Sequence, residues 1–120
     1  MKIRIKGNSI RLRLTKPEVA VFCKEGRYEE AIHFGGRQLI YALVAKPGID
    51  TPEATYVGDT ITVYLMREVQ DTWYHSDKIG YSTPLQHTTT DSLAILVEKD
   101  FTCMDNTVED QSDMYPNPKM

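Results

Sequence analysis

The sequence has 120 residues, 41% hydrophobic and 26% charged. That composition fits one globular domain with its own core and argues against a disordered or fibrous chain. No apolar run approaches a membrane span, and the opening residues are basic and alternating rather than a signal-peptide core. The expectation is therefore a cytoplasmic protein without a membrane partner.

The net charge of −3 conceals a polarity along the chain. Residues 1–27 carry eight Lys/Arg against Glu18 and Glu25, whereas residues 28–99 carry five against ten acids, and residues 100–120 one against five. Such asymmetry points to a basic face and an anionic partner. A charged, well-solvated strand face that repels edge-to-edge association explains it equally well.

Lys2 to Leu14 alternates apolar and basic residues on either side of Gly7-Asn8. Period-two alternation predicts two strands with one buried face, and Gly-Asn supplies the positive φ angles of a two-residue hairpin turn. With those two as the turn, Ile5 faces Ile10 and Ile3 faces Leu12. Lys2, Arg4, Lys6, Arg11 and Arg13 then share the opposite face. Thr15-Lys16-Pro17-Glu18 is a capping box, with a proline tolerated in the first helical turn. A short helix is predicted from Lys16 to Lys24, burying Val19, Phe22 and Cys23 and stopping at Gly26.

A second hairpin follows, Tyr28 to Phe34 and Arg37 to Lys46, turning at Gly35-Gly36. Its second strand, Leu39 to Ala45, is nearly continuously apolar and is expected to be covered on both faces. Residues 47–53 have the breaker composition of a linker.

The opening pattern then returns. Shifted by 51 positions, Gly7-Asn8-Ser9-Ile10 falls on Gly58-Asp59-Thr60-Ile61, Leu12 on Val63, Leu14 on Leu65 and Phe22 on Trp73. The chain is read as an internal duplication within one domain: repeat 1 (2–46), the linker (47–53), repeat 2 (54–99) and an acidic tail (100–120). The outward residues differ between copies. Arg4, Lys6, Arg11 and Arg13 correspond to Thr55, Val57, Thr62 and Tyr64, so the second hairpin has no basic face. Trp73 is read as core. The tail lacks the apolar content of a core element, and Val108, Met114 and Tyr115 are its candidate anchors for a protein partner.

No catalytic set emerges. His33, His75 and His87 fit no local metal spacing, no serine has nucleophile-elbow glycines, and no phosphate-cradling glycine loop occurs. Asp105, Glu109, Asp110 and Asp113 do not match an EF-hand loop. Cys23 and Cys103 lie far apart without a CxxC spacing and read as reduced thiols. No enzyme activity, cofactor or metal is expected.

Gly7-Asn8-Ser9, then Arg13-Leu14, then a helix and a second hairpin resemble the swapped-hairpin domain of bacterial AbrB-type regulators and MazE-type antitoxins. Asp77-Lys78-Ile79 is similar to that family's passage from helix into third strand. The resemblance covers residues 2–98 as two copies. It implies an α+β fold in which two tandem ββαββ units form a mostly antiparallel, barrel-like sheet with two short helices. A single chain then forms the whole barrel as a monomeric pseudo-dimer. It also implies DNA binding by the first hairpin. Asn8 and Arg13 match the family motif, Arg4 holds a position where a basic residue is usual, and Lys6 and Arg11 are basic in this sequence alone. In the antitoxins the tail binds a toxin. The alternative is a protein-interaction module without DNA binding, acting through the acidic tail and the second half. The opening and the Pro-Asn-Pro ending resemble, more loosely, an uncharacterised bacterial family.

Overall fold

A computed structural model describes residues 1–84 and 93–100. Its elements run β1 (Lys2–Lys6), β2 (Ser9–Leu14), α1 (Lys16–Glu25), β3 (Arg27–His33), β4 (Gln38–Lys46), β5 (Glu53–Val57), β6 (Thr60–Met66), α2 (Arg67–Thr72), β7 (Gly80–Ser82) and β8 (Ala94–Lys99). A single 3₁₀ turn, Trp73–His75, extends α2. The fold is α+β, mostly strands with two short helices.

Each element follows from local chemistry. In the first turn Gly7 takes φ +55°, whereas in the second both Gly58 (+58°) and Asp59 (+59°) are left-handed. Asn8 therefore does not use the left-handed conformation that the sequence allowed it. The Thr15 N–H donates to Glu18 Oε1 at 2.8 Å, one arm of the capping box that starts α1. Gly26, at φ +75°, ends that helix by donating its N–H to the Phe22 carbonyl at 2.7 Å.

The strands form two four-stranded mixed sheets, ordered β1-β2-β8-β7 and β3-β4-β6-β5. Within each sheet the hairpins are antiparallel, and a parallel pair joins them: β2 with β8, and β4 with β6. The expected barrel-like sheet is not formed. Among the described residues no strand of one sheet pairs with a strand of the other, so each sheet keeps two edges. Nor does the first hairpin pair with its neighbour in sequence: its partner is the hairpin nearest the C-terminal end.

The core lies between the sheets and under the helices. Leu12, Leu14, Ile95 and Val97 of the first sheet and Tyr41, Leu43, Val63 and Leu65 of the second are buried together. Phe22 and Trp73, both fully buried, meet edge-on with ring centroids 6.4 Å apart, sealing the helical end. The Trp73 indole N–H donates to the Lys78 carbonyl at 2.9 Å, which satisfies the ring's one polar group. Leu39–Ala45 is only partly double-covered. Tyr41, Ala42 and Leu43 are buried, and the residues on either side are half-buried.

The turns of the β1–β2, β3–β4 and β5–β6 hairpins lie at the opposite end. There Arg37 bridges the β3–β4 and β5–β6 turns by a two-pronged pair with Asp59, at 2.8 and 3.0 Å. An apolar groove of about 360 Å³ opens between the sheets at that end, lined by Ile10, Leu39, Ala54, Tyr56, Ile61 and Leu93. Among the described residues no helix is long and apolar enough to cross a membrane.

Candidate nucleic-acid interface

The β1–β2 register fixes the basic face. Lys2 stands opposite Arg13, Arg4 opposite Arg11 and Lys6 opposite Ser9. Strand alternation sends these six side chains away from the core, which their intervening neighbours Leu12 and Leu14 enter. Arg4 and Arg11 form a like-charge pair directly across the ladder, an arrangement that weakens a sheet unless something anionic offsets it.

The parallel partner β8 supplies part of that offset. Glu98 lies beside Arg13 in register, and its Oε1 accepts from Arg13 Nε at 2.9 Å, with Arg11 Nε at 3.6 Å. Arg11 and Arg13 remain about a third exposed (36% and 37%). Lys2, more exposed, pairs with Asp100 at 3.3 Å where the described chain ends. The outer face therefore reads, from β1 to β8, Lys2–Arg13–Glu98, then Arg4–Arg11–Leu96, then Lys6–Ser9–Ala94. The positive charge is concentrated on two strands, β1 and β2, and thins toward the opposite edge of the sheet at β7.

Beside Arg11 the surface sinks into an open depression of about 370 Å³, lined by the hydroxyl-bearing Ser9, Ser82 and Thr83 and by Leu96. Ser9 Oγ donates to the Lys6 carbonyl at 2.7 Å, which ties the start of β2 back to the end of β1. Gly80, opposite Glu98 on β7, permits that close strand approach. A Cβ there would meet the Val97 carbonyl oxygen at 2.4 Å.

All five predicted DNA-facing residues thus belong to one hairpin, with Asn8 at its exposed turn. Glu98 and Gly80 were not anticipated from the sequence. Both act on this face through the β2–β8–β7 pairing, and no local pattern signals that pairing. The other hairpin face carries no such cluster. Thr55 and Tyr64 share a hydrogen bond of 3.5 Å, and Lys46 lies over the Tyr64 ring at 5.0 Å while pairing with Glu53 at 3.1 Å. The predicted tail anchors Val108, Met114 and Tyr115 lie outside the described residues, as do His87 and Cys103. Cys23 is a half-buried thiol whose pKa burial raises.

A second charged cluster lies at the helical end and serves the fold. The Met1 amine, buried against the core, donates to Glu18 at 2.5 Å and to Glu30. Tyr28 Oη donates toward the same two carboxylates at 3.3 and 3.2 Å. Desolvation, with the two carboxylates beside it, pushes the Tyr28 hydroxyl up to about 12. Burial alone would raise the Glu18 pKa. The hydrogen bonds from the amine and from Thr15 outweigh it and hold the carboxyl below its ordinary value.

Comparison with curated proteins and with solved structures gave no match. From residue 1 to residue 119 the sequence matches the family of unknown function DUF7009, and the chain belongs to that family.

Proposed function

We propose that this chain is a non-enzymatic, DNA-binding regulator of the AbrB and MazE antitoxin kind, internally duplicated, which contacts the duplex through Arg4, Lys6, Asn8, Arg11 and Arg13. One observation carries the reading: five cations stand in register on the outer face of a two-stranded ribbon, with Arg4 directly opposed to Arg11. A ribbon of two strands fits the major groove, arginine pairs bidentately with guanine, and lysine and arginine neutralise phosphates. Support for duplication comes from residues 51 apart: Leu12 and Val63, Leu14 and Leu65, and Phe22 and Trp73 are all buried, and the last two touch. The exchange of hairpins between the halves agrees with the swapped arrangement of that family.

Glu98 favours a second reading, a protein-interaction module without DNA contact that uses the acidic tail and the second half. In that reading its carboxylate and that of Asp100 already satisfy much of the basic face. The two are separated by titrating isotopically labelled protein with a mixed-sequence duplex and following backbone amide shifts. DNA binding through the hairpin moves residues 2–14 and leaves 53–66 in place. Absence of any shift at low salt, or shifts confined to the second half, overturns the first reading.

A further inference from the structure

Among the described residues, the four sheet edges are not alike. β1 presents Lys2, Arg4 and Lys6, β3 presents Arg27, Glu29 and Glu30, and β7 is three residues long. Charge and shortness are the ordinary devices by which an edge avoids taking on another strand. β5, Glu-Ala-Thr-Tyr-Val, has neither. Its single charge sits at its first residue and is drawn to Lys46 Nζ at 3.1 Å.

The register shows which backbone groups this edge offers. Val57 and Thr60 flank the two-residue turn, so Glu53, Thr55 and Val57 direct their N–H groups to β6. Ala54 and Tyr56 direct theirs outward, and among the described residues none pairs with them. Tyr56 and Val57 are among the most exposed large apolar side chains, at 69% and 74%.

From this we infer that β5 is a self-association edge: it pairs antiparallel with β5 of a second copy about a two-fold axis through Thr55. A second copy fits because the strand is complementary to its own reverse. Ala54 and Tyr56 of one chain face Tyr56 and Ala54 of the other, small against large at both ends, and exchange four backbone hydrogen bonds. Thr55 meets Thr55 at a non-hydrogen-bonded position, a favourable cross-strand pair. Glu53 falls beside Val57 of the partner, so no like charges meet. The two apolar grooves, each lined by Ala54 and Tyr56, then adjoin across the axis. The resulting eight-stranded sheet leaves the basic hairpins in the outer pair of sheets, one per chain. This association does not depend on DNA binding.

An edge of five residues buries less than a standard stable interface, so the dissociation constant is expected between roughly 10 µM and 1 mM. Sedimentation velocity of the full chain across that range, without nucleic acid, tests the inference. The wild type should pass from one to two chain masses. T55K and T55E, which place like charges together at the axis, should each remain at one chain mass while keeping the wild-type circular dichroism. An equimolar mixture of the two should associate again, because opposite charges then meet at the axis. A wild type that stays at one chain mass throughout overturns the inference. So does association of T55K alone, or a mixture that fails to associate.

Discussion

Glu18 performs three tasks at one position. It caps α1 through the Thr15 N–H, holds the Met1 amine and accepts from Tyr28. Its pKa is lowered in the folded state, so its contribution is present above the unfolded carboxylate value and lost as pH falls through the folded one. The melting temperature of the wild type should therefore fall with acidification below about pH 4.5. Glu18→Gln should cost about 1–2 kcal/mol near neutrality and flatten that acid limb, since it removes the titrating carboxylate. Parallel acid limbs in the two proteins would assign the pH dependence elsewhere. At the same scale, Glu98 tempers two arginines at once, at 2.9 and 3.6 Å, and so lowers the positive potential beside them.

Elements succeed or fail as local patterns. The first hairpin, the capping box and the Gly26 stop were legible in the sequence because each depends on residues within a few positions of one another. The helix extends one residue beyond its predicted end, to Glu25, and the second hairpin starts at Arg27 rather than Tyr28. Partnering between elements was not legible in the same way. β2 sits beside β8 through contacts 85 residues apart, such as Arg13 with Glu98, and no spacing rule signals that. The resemblance implied a barrel, whereas among the described residues the pairings stop at two sheets with four edges. Gly80 shows how tightly β7 and β8 fit. Gly80→Ala drives a Cβ toward the Val97 carbonyl oxygen and the Glu98 side chain, so β7 must shift. We predict a loss of about 1–3 kcal/mol in urea unfolding with an unchanged m-value. Wild-type stability in Gly80→Ala would mean that the strand relaxes freely there.

On the scale of the whole molecule, charge and apolar surface are divided between the β1–β2 and β5–β6 hairpins. The first hairpin has a cationic outer face, tempered by Glu98 and Asp100. The β5–β6 hairpin carries Thr, Val and Tyr in place of cations, and its edge strand β5 is a sequence able to pair with itself. In the proposed reading, electrostatics act at one face and strand addition at one edge of the other sheet, so the two activities are separable by mutation.

The most direct test of the account is fluorescence anisotropy of a labelled mixed-sequence duplex across a salt series, with the wild type, Arg11→Ala/Arg13→Ala and Glu98→Gln. Counterion release predicts a log–log slope approaching −4 for a face of about five cations, and about two units shallower for the double variant. Glu98→Gln should bind more tightly than the wild type, because it removes the carboxylate that both arginines share. Binding that is absent at low salt, insensitive to salt, or unchanged in the double variant would contradict the basic-hairpin account.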